Sequence, residues 1–297
     1  MCTKAHIDLG NGNYKLDIYN KQVINCSNVE EVTSGTFGSY EIDGKHYIFG
    51  ENAKSRKQTN KIVDEKRALL GYALYSSLDE ETTKVDVVTT LPLSLYVLES
   101  NKKAYEELLK GKYSIVNPYG VKRNITVGKV EVYCEGFSSL ITMPSLLKEQ
   151  IFLIDFGATD LTGVKVNGTP DIKSSFCKEA GANILYNELA KVITAYTRDT
   201  YSDKDIKILL KKFDELDSEL QKVIDDFMSE YIKKNIYDNL KDIGYKPLLG
   251  TKIVAIGGGS LLVKRYLEKD SNVIILDNAL FSSIEGAKIL SVRRAGK

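Results

Sequence analysis

Asp8-Leu9-Gly10-Asn11-Gly12-Asn13-Tyr14-Lys15 and Asp155-Phe156-Gly157-Ala158-Thr159-Asp160-Leu161-Thr162 are two acidic, glycine-rich turns of one form. Each follows a short apolar run, Ala5-His6-Ile7 in the first and Ile151-Phe152-Leu153-Ile154 in the second. The pattern predicts, twice, a buried strand ending in Asp, a tight turn and a second strand. An Asp at a strand end is placed to hold a metal ion, usually through water. Glycines let backbone N–H groups approach phosphate oxygens closely. Two such hairpins, one in each half, are expected to clamp a polyphosphate and its Mg²⁺ from both sides.

The bulk properties narrow the classes. A chain of 297 residues has room for two domains of ordinary size. Its 43% hydrophobic and 27% charged residues match a soluble globular protein, and no apolar run approaches the length of a membrane span. The formal net charge of +1 gives no electrostatic case for direct contact with nucleic acid or membrane. Met1-Cys2-Thr3-Lys4 leads straight into the first strand, with no secretory signal visible. Cys2, Cys26, Cys134 and Cys177 show no C-x-x-C spacing, so reduced thiols in a cytoplasmic protein are expected and a zinc site is not. His6 and His46 are the only histidines. His6 falls in a strand as a packing residue, so chemistry built on histidine triads or histidine-ligated metals is not expected.

Around the first turn, residues 5–9 and 14–19 read as strands, with Val23-Ile24 as a third. Residues 39–49 alternate about Asp43-Gly44, a hairpin signal. Asp64 to Leu78 has helical spacing through Leu70, Leu74 and Leu78. Val85 to Leu91 reads as a strand stopped by Pro92, and Ser94 to Lys110 as one helix. Two strands are expected to flank Asn117-Pro118-Tyr119-Gly120, and a separate strand, Lys129 to Tyr133, runs into Cys134-Glu135-Gly136. Ser138 to Leu147 reads as a short helix broken at Pro144.

In the second half, Val164 to Val166 with Asn167-Gly168 reads as a hairpin, and Lys178 to Thr197 as a helix. Asp203 to Phe213 reads as a helix in a small charged insertion. Leu216 to Leu240 reads as one long amphipathic helix capped by Gly244. Lys252 to Ile256 is a buried strand, Gly257-Gly258-Gly259-Ser260 a turn, Leu261 to Lys269 a helix, Val273 to Leu276 a strand, and Ser282 to Val292 the last helix. Strands then helices, twice over, predict an α/β duplication with insertions.

The chemistry lies in an ordered set rather than in any one turn. Asp8-x-Gly, a strand ending near Glu135, Asp155-x-Gly, and a strand followed by Gly257-Gly258-Gly259 form one series. The last turn is not a dinucleotide fingerprint, because Leu262 occupies the place of the final glycine, and it lacks the G-K-[ST] of a Walker A loop. Its backbone amides are still suited to a purine or phosphate edge.

The series resembles the actin-like ATPase superfamily, which also includes the Hsp70 chaperones and the sugar kinases. Asp8 to Lys15 looks like the first phosphate loop, Asp155 to Thr162 the second, Val254 to Ser260 the adenosine motif, and Ser282 to Ala287 the second connecting helix. Within the superfamily the chain is most similar to bacterial plasmid-partitioning actins of the ParM type. The spacing of Asp8-x-Gly10-x-x-Asn13-x-Lys15, of Asp43-Gly44-Lys45-x-Tyr47-x-x-Gly50-Glu51 and of Thr90-Leu91-Pro92-Leu93 carries that likeness. It implies an actin-like, ribonuclease H-like duplicated two-domain α/β fold with a central nucleotide cleft. Domain I is expected over 1–150, with a small insertion at about 26–80 and the 281–297 helix packing back on it. Domain II is expected over 151–280, with an insertion at about 198–240.

The resemblance also implies roles. Asp8 and Asp155 would hold the Mg²⁺ shell through water. Gly10, Asn11, Gly12, Asn13 and Lys15, with Gly157, Ala158 and Thr159, would grip the phosphates. Gly181 and Asn183 would line the ribose side, and Gly257, Gly258, Gly259 and Ser260 the adenosine. Glu135 stands where relatives place the glutamate that orients the attacking water, with Cys134 in place of their proline. A competing alignment on Met143-Pro144 would put Ser145 there, and Ser145 could not polarise water. Ala158 and Thr162 depart from the residues common in relatives, which bears on hydrolysis rate. The implied function is a filament-forming ATPase that segregates plasmid DNA. It would use ATP, with GTP also open, and would polymerise with itself. A ParR-like adaptor protein would link it to centromere-like DNA, with no direct nucleic acid contact. A small-molecule kinase on the same fold and a nucleotide-binding scaffold without turnover stay open as alternatives.

Overall fold

Both Asp-ended runs form strands, and each begins a sheet of the same plan. The computed structural model describes residues 3–54 and 60–295. Cys2 and part of the 26–80 segment lie outside the described residues. The chain divides into one unit of Met1–Thr142 with Phe281–Lys297 and a second of Met143–Leu280.

In the first unit the strands are β1 (Thr3–Leu9), β2 (Asn13–Ile18), β3 (Lys21–Cys26), β4 (Val29–Val32), β5 (Tyr40–Ile42), β6 (Lys45–Phe49), β7 (Lys84–Leu91), β8 (Gly111–Val116) and β9 (Lys122–Cys134). They make one sheet of order β3-β2-β1-β7-β9-β8-β5-β6-β4. β1, β2 and β3 form an antiparallel meander, while β7 and β9 run parallel to β1. Helix Asp64–Ser77 supplies Ala68, Leu69, Leu70, Ala73 and Leu74 to the core of this unit. The Asp43-Gly44 hairpin forms with φ of 51° and 83°, the paired positive angles that a two-residue turn between twisted strands demands.

Two expectations here are corrected. The strand over Lys129 to Tyr133 is not separate: β9 runs from Lys122 through Gly128. At that point Asp86 Oδ1 accepts the Lys129 N–H at 2.9 Å, and the pairing with β7 slips between Val85 and Val87. The bulge carries the strand past a glycine that had read as a stop. The helix over Ser94 to Lys110 is two, Leu93–Tyr96 and Glu99–Leu109, with Leu98 extended between them at φ −95° and ψ 115°.

The last helix, Ser282–Ala295, packs on the first unit. Gly136 N–H donates to Ser283 Oγ at 3.0 Å and Ser138 Oγ to the Ser283 carbonyl at 2.9 Å. Lys288 Nζ lies 2.9 Å from Asp17 Oδ2, and Lys4 Nζ donates to Ser291 Oγ at 2.9 Å. His6 is buried beside this network, and its burial with the nearby Lys288 charge pushes its pKa below the ordinary value.

In the second unit β10 (Gln150–Phe156), β11 (Leu161–Asn167), β12 (Thr169–Lys178), β13 (Lys252–Ile256) and β14 (Val273–Ile275) pair in the order β12-β11-β10-β13-β14. Again three strands form an antiparallel meander and two follow in parallel. Strand for strand this repeats β3-β2-β1-β7-β9, and helix Ala182–Thr197 stands where Asp64–Ser77 stands in the first unit. The duplicated α/β reading therefore holds. The helix expected from Lys178 begins at Ala182, because residues through Lys178 pair with β11. The long amphipathic helix is present as Ser218–Ile232 and Asp238–Asp242, joined by a π-helical turn at Lys233–Tyr237. Gly244, at φ 98°, ends it. Among the described residues no helix is long and apolar enough to cross a membrane.

Candidate functional site

Asp8 is the next-to-last residue of β1, and Lys15 lies directly opposite on β2. Side chains opposite one another in an antiparallel pair share a face, and Lys15 Nζ sits 3.0 Å from Asp8 Oδ2. The other carboxylate oxygen, Asp8 Oδ1, is buried with no hydrogen-bond partner among the described residues. Burial alone would raise the Asp8 pKa. The Lys15, Lys61 and Lys66 charges outweigh it and hold the carboxyl below its ordinary value. Gly10 has no room for a side chain, since a Cβ would stand 2.5 Å from the Asn13 carbonyl oxygen. The Gly12 carbonyl accepts the Ser27 N–H at 3.0 Å, which ties the turn to the residue after β3.

Two buried lysines complete this half, and sequence reasoning missed both. Lys61 and Lys66 are 5% and 4% exposed, values rare for lysine without compensation. Their compensation is the turn itself. Lys61 Nζ and Lys66 Nζ both donate to the Leu9 carbonyl, at 3.1 and 2.9 Å, and Lys66 also donates to the Gly10 carbonyl at 3.0 Å. Lys61 Nζ lies 4.0 Å from Glu135 Oε2. Glu135 follows β9, where its N–H donates to the Leu91 carbonyl at 2.7 Å and so extends the β7–β9 pairing by one step. Asp8, Gly10, Lys15 and Glu135 are thus gathered at one end of the first sheet. A signal for Lys66 was present: it shares the buried stripe of its helix with Leu69, Leu70 and Ala73.

In the second unit Asp155 opposes Thr162, the register that sets Asp8 against Lys15. The Gly157 N–H closes the turn on the Asp160 carbonyl at 2.9 Å, and Thr159 Oγ1 donates to Asp160 Oδ2 at 2.9 Å. The start of helix Ala182–Thr197 underpins this turn. Gly181, Ala182 and Asn183 donate their backbone N–H groups to the carbonyls of Thr159, Gly157 and Ala158, at 3.0, 3.0 and 2.8 Å. Those bonds meet the helix's exposed donors. They also commit the amides of Gly181 and Asn183, read as ribose-lining, to holding the second loop. A Cβ on Gly181 would run into the Ala158 and Thr159 backbone.

The third glycine turn joins the same end of the second sheet. β13 runs parallel to β10 with Ile256 opposite Asp155, which brings Gly257 beside that carboxylate. At φ 84°, with a Cβ that would lie 2.5 Å from the Phe156 carbonyl oxygen and 2.7 Å from Asp155 Oδ1, Gly257 has no substitute. Helix Gly258–Leu262 starts three residues before the expected Leu261, and a second short helix, Lys264–Leu267, follows it after Val263. Gly259 lies against the Phe156 ring where a Cβ would not fit. Ser260 is buried, and its Oγ donates to the Gly257 carbonyl at 2.7 Å, so this hydroxyl braces the turn.

Each unit thus places Asp next to the end of the first strand of its meander, follows that strand with a turn built around glycine, and does so in one register. Residues 7–137 also match the family model for the N-terminal domain of actin-like proteins. The chain has the actin-like fold. Among solved structures, the actin-like chain is similar to Ta0583, an archaeal actin homolog, in its complex with ADP. The TM-score is 0.79 at 17% identity, covering 99% of this chain and 100% of that one. It is similar to the ParM of a 15-stranded filament from Clostridium botulinum, with a TM-score of 0.73 at 19% identity over 98% and 99% of the two chains. It is also similar to the actin-like protein Alp7A, with a TM-score of 0.79 at 15% identity over 100% and 98%. A sequence search of curated proteins finds no match. The likeness read from the glycine turns is borne out as an actin-like fold with ParM and Alp proteins among its structural neighbours.

The residues present in this actin-like chain fit a Mg²⁺ held through water. Among the described residues Asp8 Oδ1 is a buried carboxylate oxygen without a hydrogen-bond partner, and Asp155 stands in the matching position of the second unit. Among the described residues no three His, Cys, Asp or Glu side chains cluster to cage a metal. The remaining ligands would come from water and phosphate, the usual arrangement for this ion.

Proposed function

We propose that this chain is a nucleotide-dependent filament protein that hydrolyses ATP and segregates plasmid DNA. The observation that carries the reading is the repeated hairpin, with Asp8 opposite Lys15 in one unit and Asp155 opposite Thr162 in the other. An ADP complex of one structural neighbour and filaments of others support it.

In this reading the Asp8–Lys15 and Asp155–Thr162 turns grip the phosphates, with Gly257 to Ser260 at the adenosine. Asp8 and Asp155 would hold Mg²⁺ through water, and the ion would neutralise phosphate charge. Lys15 leaves Asp8 for a phosphate oxygen when nucleotide enters. Glu135 orients the attacking water and takes up its proton. Hydrolysis then acts as a timer on a polymer of identical chains in the cytoplasm. A ParR-like adaptor protein would connect the polymer to DNA, and GTP is open as a second nucleotide.

The test is light scattering of the purified chain with Mg²⁺ and ATP, GTP or ADP, with phosphate release followed in the same sample. ATP should raise the scattering, and the signal should decay as phosphate appears. Glu135→Ala should keep the rise and slow the decay at least a hundredfold, the scale of a lost general base. No rise at any nucleotide, with phosphate transferred only when a sugar or acid is added, would replace the filament by a kinase.

A further inference from the structure

Lys61 joins two strand ends that the sheet keeps apart. β7 lies between β1 and β9, so the ends of those strands stand two strand spacings, about 10 Å, from one another. The Lys61 ammonium reaches both. Its Nζ donates to the carbonyl of Leu9, the last residue of β1, at 3.1 Å, and lies 4.0 Å from Glu135 Oε2, just past β9. The Leu9 carbonyl already accepts from Lys66 at 2.9 Å, so it does not depend on Lys61 for a donor. What Lys61 adds is a charge beside Glu135. The backbone of Glu135 is fixed on both sides, by its own N–H on the Leu91 carbonyl at 2.7 Å and by the Phe137 N–H on its carbonyl at 2.8 Å. Its side chain can still rotate, and it is 20% exposed against 6% for that of Lys61. A buried, anchored ammonium is a fixed point for such a carboxylate, because attraction between opposite charges strengthens where water is excluded. The same charge acts on Asp8, whose carboxyl it helps to hold below the ordinary pKa.

We infer that Lys61 is a positioning residue for hydrolysis: its ammonium, anchored on the Leu9 carbonyl, holds the Glu135 carboxylate at a set distance from the first glycine turn. This rests on the reading of Glu135 as the general base. In that step the oxygen of a water bonds to the terminal phosphorus of ATP, and the water's proton passes to Glu135. The phosphorus–oxygen bond to ADP breaks, and its electron pair leaves with ADP. Lys61 acts on the rate of this step through Glu135 and not on the grip on nucleotide.

The test separates turnover from binding. ATP turnover at saturating ATP and Mg²⁺, and ADP affinity, are measured for wild type, Lys61→Met, Glu135→Gln and the double variant, with scattering recorded so that turnover is compared at equal polymer. Lys61→Met should lower turnover about tenfold, part of the roughly hundredfold that a misplacement of about 1 Å can remove, and leave ADP affinity unchanged. In the Glu135→Gln background it should lower turnover no further, because residues that act as a unit do not add. Lys61→Arg, which keeps the charge, should recover most of the rate. Lys61→Gln, which keeps a donor for the Leu9 carbonyl without the charge, should lose rate as Lys61→Met does, and it carries the test if Lys61→Met fails to fold. Full turnover in Lys61→Gln, a loss of ADP affinity as large as the loss of turnover, or an equal loss with and without Glu135 would each overturn the inference. Wild-type turnover in Glu135→Gln would instead overturn the reading of Glu135 as the base, and the role of Lys61 with it.

Discussion

At the scale of the residue, Lys66 is the unusual group. Burial, and after it the Lys61 charge, draws its pKa down to about 7, against the upward pull of Asp8 and Glu135. In the unfolded chain it returns to the ordinary lysine value near 10.4. Between those two values the unfolded state binds the extra proton, so stability gained through Lys66 rises with pH. Urea unfolding should therefore show the wild type gaining on Lys66→Met from pH 7 to pH 10. A difference that stays flat would mean that Lys66 keeps its charge in the folded protein. The hairpins that carry Asp8, Lys15 and Asp155 were legible because strand, turn and acidic residue lie together in the sequence. Lys61 and Lys66 were not, because their meaning comes from the Leu9 and Gly10 carbonyls, more than fifty residues away. A lysine on an apolar helix stripe marks a buried charge without naming its partner.

Among the elements, the last helix shows how packing reverses a local preference. Gly→Ala inside a helix ordinarily gains up to about 1 kcal/mol. At Gly286 the added Cβ would collide with the Ser138 carbonyl and the Ser139 amide, both backbone atoms that cannot rotate aside. Gly286→Ala should destabilise the protein by about 1–3 kcal/mol, the cost of overpacking, read as a lower denaturant midpoint. A rise in the midpoint would mean that helix and loop are not in contact in solution. The elements that were legible had chemistry of their own: Asp43-Gly44 with two positive φ values, and Gly244 ending its helix. Those misread depended on neighbours. β9 continues through Gly128 because Asp86 on β7 accepts the next amide. The strand through Lys178 exists because β11 offers it an edge. The break at Leu98 has no comparable mark in composition.

For the whole molecule, the repeat of one sheet plan in both units is the main fact, and it was legible as two matching turns before any pairing was known. If both turns serve one nucleotide, ADP with Mg²⁺ should slow amide hydrogen exchange at 8–15 and at 155–162 together. Protection of one window alone would separate the two loops and sink the shared site. The same division of the chain has a bearing on synthesis. The second unit is contiguous from Met143 to Leu280, but the first needs Phe281 onward to cover β1, β7 and the 137–142 segment. On the ribosome, then, the order of completion inverts the order of translation: the N-terminal unit waits, one face still open, until the later-made unit has already emerged and closed its own core.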